Sequence, residues 1–166
     1  MINHRDNIPK LFKKINVKIG VELGVGWGEY SRLLNNAHTF EKFFCIDKWN
    51  DHHTEREKLR VQNIFKKNKN IVVMHSTFSD ACKQFEDNFF DFIYIDGYAH
   101  TGQEEGLTLK EWFPKLKVGG IFAGHDYCKS SFPKTYDNVN LFLRDGLGYK
   151  IHTTKEIKFP SWYIKK

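Results

Sequence analysis

Three glycines stand at every second position in Glu22-Leu23-Gly24-Val25-Gly26-Trp27-Gly28, directly after an apolar run that opens at Ile19. A strand that turns at once into a helix needs positive φ and little bulk, and glycine supplies both. The amino terminus of the helix then offers free N–H groups to a polar ligand. This is the local chemistry of a nucleotide-type crevice at the carboxyl end of a first strand. A dinucleotide fingerprint would run G-x-G-x-x-G. Here the third glycine comes one residue early, and Glu29 takes the place the fingerprint needs. Glu22, ahead of the first glycine, suits a cationic ligand better than a pyrophosphate.

Further polar residues fall at the ends of other apolar runs. Phe43-Phe44-Cys45-Ile46 ends in Asp47, about 20 residues past the first glycine, where a carboxylate can bond ribose hydroxyls. A helix cap is the competing role for Asp47, and the glycine turn upstream favours the ribose. Trp49 either packs near an adenine or shields the strand end. Ile71 to His75 is followed by Ser76, and Phe90 to Ile95 by Asp96-Gly97 and then His100. Ile121 to Gly124 leads into His125-Asp126-Tyr127. In a parallel sheet these carboxyl ends face one crevice.

Glu22 to Gly28 resembles the first motif of class I S-adenosylmethionine-dependent methyltransferases, and Asp47 matches the second in place and type. The stretch Asp91 to Tyr127, with its Ile-Asp-Gly, the histidine three residues on, Trp-Phe-Pro-Lys-Leu, Gly-Gly and His-Asp-Tyr, is similar to small-molecule O-methyltransferases related to sugar and catechol enzymes. The resemblance spans Ile19 to Tyr127. It implies S-adenosylmethionine as cofactor, with Glu22, Gly24, Gly26, Gly28, Asp47 and Asp96 around it and Ser76 on the adenine side, where Trp49 is a further candidate.

In catechol-type members, a carboxylate after the fourth strand and an adjacent pair after the fifth hold magnesium. By that analogy Asp96, His125 and Asp126 are candidate metal ligands. An imidazole in place of an oxygen weakens the case for magnesium and leaves manganese or iron. The reading placed first gives Asp96 to the methionine amine of the cofactor, with His125 and Asp126 as acid/base groups for the acceptor. Metal-free transfer needs only in-line placement of nucleophile, methyl and sulfur and a base for the departing proton. His125 and His100 are the candidates, because imidazole titrates near neutral pH. His125 is favoured by its place at a strand end, whereas His100 could equally cap a helix or lie exposed.

The elements that must position these residues read as alternating strands and helices. Asn7 to Ile15 predicts a short helix over the sheet edge or cofactor mouth. Helices are expected over Tyr30–Asn36, from Thr54 toward Asn68, over Phe78–Phe85 with Ser79 or Asp80 as cap, over Gly102–Leu116 and over Asp137–Leu147. Lys117 to Gly120 reads as a turn, and Ser130 to Tyr136 as a loop. Tyr149–Thr153 and Ser161–Ile164 predict a closing antiparallel hairpin. The expected fold is a three-layer Rossmann-like α/β domain spanning residues 1–166, with a mostly parallel sheet of seven strands. His52-His53, at the entrance of the polar segment after Asp47, read as surface residues or part of a lid.

With 166 residues and 40% hydrophobic content, the chain is long enough for one core and too apolar for disorder. It has no run long enough to span a bilayer and no apolar leader, so no membrane role and a cytoplasmic location are expected. Cys45, Cys82 and Cys128 lack metal-type spacing and read as reduced thiols. The net charge of +6 admits nucleic acid as a partner, but the lysines are scattered, and a small-molecule acceptor is favoured. Short covering loops leave the crevice open enough for a homodimer partner to complete it. The competing functions are a nucleic-acid or protein methyltransferase and a non-catalytic cofactor-binding protein, with a nicotinamide dehydrogenase last.

Overall fold

The computed structural model describes residues 2–50, 53–97 and 104–166. Seven strands form one sheet in the order β3-β2-β1-β4-β5-β7-β6. They are β1 (Ile19–Leu23), β2 (Lys42–Asp47), β3 (Ile71–His75), β4 (Phe90–Ile95), β5 (Leu116–Gly124), β6 (His152–Thr153) and β7 (Trp162–Lys165). The first five are parallel. β7 runs antiparallel between β5 and β6. The strand order reverses between β1 and β4, which is where open α/β sheets place their ligands.

The sheet is covered on both faces because its strands carry apolar residues on both sides. One face buries Phe43, Cys45, Phe92 and Tyr94 under an amino-terminal 3-10 helix (Arg5–Lys14), α1 (Glu29–Ala37) and α2 (Glu55–Phe65). The other buries Val21, Leu23, Ile46, Ile93 and Phe122 under α3 (Phe78–Cys82), α4 (Leu107–Trp112) and α5 (Pro133–Val139). α5 runs on as a π-helix over Asn140–Gly146.

Several boundaries differ from expectation for identifiable reasons. The cap of α3 is Thr77, whose side chain accepts from the Asp80 amide, and not Ser79 or Asp80. α4 stops at Trp112 because Pro114 cannot continue the ladder. Leu116 is therefore the first residue of β5. Lys117 to Gly120 is also strand, not turn. A register shift between Phe90 and Phe92 and a φ of +86° at Gly119 accommodate the two glycines as an irregularity in the pairing with β4. Pro133 opens α5 at its first turn, so the helix starts four residues earlier than expected. The hairpin strand β6 shrinks to His152–Thr153. α2 begins after Thr54 in a full capping box with Glu57.

The turn after β1 shows why glycine is needed. Gly24 has φ +89°, and a Cβ there would lie 2.2 Å from the Asp96 carbonyl oxygen at the end of β4. Gly28 caps α1 from the left-handed region, at φ +81°. Gly24→Ala is expected to cost more than about 3 kcal/mol in urea unfolding, because backbone overlap adds to strain. Gly119→Ala, at a similar φ but with nothing within 4 Å of the added carbon, is expected to cost only about 1 kcal/mol.

Candidate active site

The ends of β1, β2, β4 and β5 converge around the glycine turn. Asp47, buried at the end of β2, turns its carboxylate back on that turn. Its Oδ2 accepts the amides of Val25 and Gly26, each at 2.9 Å, and its Oδ1 accepts the Trp49 amide at 3.0 Å. Trp49 is buried, and its indole N–H donates to the Gly26 carbonyl at 3.0 Å. The indole thereby ties the end of β2 to the turn. Its φ of +38°, unusual for a bulky residue, is held by these two bonds. The ring of His53 lies over Gly26, with Nε2 3.0 Å from the place a Cβ would occupy. Ser76 follows β3; its amide donates to the Asp47 carbonyl and its hydroxyl to the Thr77 carbonyl, both at 3.0 Å.

Glu22 points to the face covered by α1 and is essentially inaccessible. The Ser31 hydroxyl donates to its Oε2, and the Cys45 thiol donates in turn to the Ser31 oxygen at 3.2 Å. Burial, reinforced by the charge of Asp96, pushes the Glu22 carboxyl well above its ordinary range. Burial likewise pushes the Cys45 thiol up. Glu22 thus sits beneath the turn as a buried acid locked to α1.

Asp96 and His125 form the polar centre of the opening. Asp96 Oδ2 accepts Arg5 Nη1 at 2.8 Å. His125 Nδ1 lies 3.3 Å from Asp96 Oδ1 and 3.1 Å from Asp126 Oδ1. Burial opposes ionisation of Asp96, but His125 and Arg5 outweigh it and hold the carboxyl below its ordinary value. Burial also disfavours the imidazolium, but hydrogen bonds to Asp126 and Asp96 overcome it and push His125 up to about 9. At neutral pH His125 is therefore an imidazolium between two carboxylates. Asp126 adopts φ +59°, a left-handed conformation that aspartate tolerates. The next residue fixes it, because the Tyr127 amide donates to the Pro160 carbonyl and its hydroxyl to Asn140 Oδ1, each at 2.9 Å.

The structure thus brings together Glu22, Gly24, Gly26, Gly28, Asp47, Asp96, His125 and Asp126. Ser76 stands at the end of β3, one strand beyond Asp47. His100 and His52 lie outside the described residues. Two contributors were not singled out in the sequence. Arg5 reaches Asp96 from the 3-10 helix and lies over the Tyr30 ring, 4.7 Å from its centroid. Ser31 carries a local signal, since it sits within the first turn of a helix whose inner face must meet Glu22. Arg5 carries none, because its partner lies 91 positions away.

Asp96, His125 and Asp126 each offer a ligand atom within 4.8 Å of the others. The arrangement does not fit a dication well. Arg5 already occupies Asp96 Oδ2, and Nδ1 of His125 is committed to both carboxylates.

Because His125 binds its proton more tightly when folded, its contribution to stability is full below its ordinary value near 6.5 and is lost as pH rises through about 9. That contribution is on the order of 2–3 kcal/mol. Urea midpoints of the wild type should fall across this window, and those of His125→Gln should be nearly flat.

The fold has counterparts among known proteins. No curated protein matches the chain by sequence. SMU.1697c, a methyltransferase-like protein of Streptococcus mutans in complex with SAH, superposes with TM-score 0.73 at 16% identity, covering 100% of this chain and 99% of that one. A caffeoyl-CoA O-methyltransferase-like protein of Staphylococcus aureus gives 0.72 at 17% identity, over 97% and 82%. Spermidine synthase of Thermotoga maritima gives 0.68 at 18% identity, over 95% of this chain and 56% of that one. At these identities the likeness is one of fold, and the fold serves more than one transfer. The family model described as a methyltransferase domain matches residues 17–127, from two residues before β1 to the tyrosine after His125-Asp126, and the chain belongs to that methyltransferase family.

Proposed function

We propose that the protein is an S-adenosylmethionine-dependent methyltransferase acting on a hydroxyl or amine of a small molecule. The observation that carries the cofactor is the direction of the loop amides. In a pyrophosphate site the N–H groups of a glycine turn stay open to phosphate oxygens. Here those of Val25 and Gly26 are closed on Asp47. A nucleoside without phosphates suits a turn whose amides are already taken by Asp47. The SAH found with the Streptococcus mutans neighbour supports the same assignment.

When bound, the cofactor supplies an electrophilic methyl on a sulfonium. The chain's share is placement and proton handling. Asp96, at the end of β4, is assigned to the amine of the cofactor, and the remaining lone pair of Asp47 Oδ1 to the ribose. His125 and Asp126 face the acceptor, and His125 takes the proton from its nucleophilic atom. The imidazole must be neutral to do so. A small acceptor is favoured because the loops around His125 are short and the basic residues are dispersed. The O-methyltransferase-like neighbour supports oxygen as the receiving atom. Cys45, Cys82 and Cys128 are free thiols, in keeping with a reducing, cytoplasmic setting. No helix among the described residues is long and apolar enough to cross a membrane.

One feature favours a nucleic-acid acceptor as the second reading. Trp27, in the glycine turn, has the guanidinium groups of Arg56 and Arg60 at 5.8 and 5.3 Å from its ring centroid. Aromatic and cationic groups combine in this way on single-strand binding surfaces. Salt-sensitive RNA binding lost in Trp27→Ala would support that reading, and its absence would remove it.

Titration calorimetry with SAH tests the main reading, and a flat isotherm would refute it. Asp47→Ala should weaken SAH binding about tenfold or more, because both the ribose contact and the shape of the turn go with it. With His125 as base, kcat/KM should climb with pH and level off above about 9. His125→Gln should lose that limb, and an unchanged profile would assign the proton to another group.

A further inference from the structure

Where a dication would be drawn by Asp96, His125 and Asp126, the chain supplies a cation of its own. We propose that Arg5 is the built-in counter-charge of this site, excluding a divalent metal, so that the acceptor is held by hydrogen bonds and not by chelation. The second half of this statement rests on the methyltransferase reading above; the first half does not.

Three observations carry it. The first is position. Arg5 Nη1 lies 2.8 Å from Asp96 Oδ2, and His125 Nδ1 lies 3.3 Å from Oδ1, so a basic group of the chain already faces each oxygen, and the Arg5–Asp96 pair is mostly buried. The second is rigidity. The guanidinium lies over the Tyr30 ring, and the Tyr30 hydroxyl donates to the Arg5 carbonyl at 3.1 Å, so a single side chain holds both ends of the residue. Ile8 and Phe12, further along the same 3-10 helix, are buried in the core beside α1. Arg5 is therefore presented by a docked element. The third is charge. Arginine stays protonated at any working pH. A dication brought to Asp96 would meet a fixed positive group at hydrogen-bond range of its own ligand. It would have to break that pair to gain full use of the carboxylate.

The consequence for recognition is specific. A metal selects acceptors with two adjacent oxygens that can chelate it. Arg5, whose remaining N–H groups are not used by Asp96, offers directional donors, which suit a single hydroxyl or an anionic group equally well.

Titration of the ligand-free protein with Mn2+, read by the loss of the free-ion electron paramagnetic resonance signal, tests the assignment without reference to catalysis. The wild type should leave the signal unchanged from micromolar to millimolar Mn2+. Arg5→Met should bind the ion at least about tenfold more tightly, the scale on which groups beside metal ligands act. Arg5→Lys, which keeps the charge, should behave as wild type. Circular dichroism confirms that each variant is folded. Mn2+ binding by the wild type that disappears in Asp126→Asn would overturn the proposal. So would a folded Arg5→Met that remains silent. Turnover should be unchanged by EDTA, and its loss would refute metal exclusion in the working enzyme. A flat SAH isotherm alongside the expected Mn2+ pattern would remove the methyltransferase reading and leave Arg5 as the counter-charge.

Discussion

The carboxylate of Asp47 holds the site together. One side chain at the end of β2 accepts three backbone amides, two from the turn after β1 and one from its own loop. Charge-assisted bonds to a buried carboxylate are among the stronger polar interactions in a protein. They do two things at once here. They fix a glycine-rich segment whose own residues would otherwise allow many conformations. They also remove from that segment the donors that would attract a phosphate. The amides of Val25 and Gly26 are thus taken up by a contact inside the protein before any ligand arrives.

Beneath that contact the site is built in two electrostatic layers. Glu22, Ser31 and Cys45 form a buried polar chain with its protons retained, and it ties β1 and β2 to α1. Above it, Asp96, Asp126, Arg5 and His125 form a charged layer at the opening. The lower layer resists ionisation because it is desolvated; in the upper layer Asp96 stays ionised because His125 and Arg5 outweigh its burial. Carboxylates that are close in space therefore have opposite protonation preferences, which lets one pocket be both a rigid floor and a reactive surface.

Much of this was legible in the sequence, because it depends on local pattern. Continuous apolar runs ending in Asp47, Asp96 and His125 gave the parallel strands and placed those residues at one edge of the sheet. The spacing of Gly24, Gly26 and Gly28 gave the strand-turn-helix unit. What the sequence hid depends on distance or direction. Arg5 meets Asp96 across 91 positions, and no periodicity reports that. Asp47 stood at the right place, but nothing in its spacing says that its oxygens turn toward amides of its own chain. Lys117 to Gly120 carries the composition of a turn, but it is held as an irregularity between the pairs Phe90–Leu116 and Phe92–Ile121, with Gly119 and Gly120 bonded to the Lys166 backbone. Pro114 and Pro133 were visible, yet whether a proline ends a helix or opens one is decided by the register of the neighbouring turns.

Gly124 lies beneath the Trp162 indole, with no room for a side chain between them, and His125 follows immediately. β7, which carries that tryptophan, pairs with β5 along its inner edge. On a ribosome, residues 17–127 emerge well before residue 162. The nascent chain therefore carries every reactive group of the pocket while β5 still has a bare edge. Its chemistry awaits a strand that contributes no reactive group, and until that strand docks, the exposed edge is a natural point of contact for chaperones.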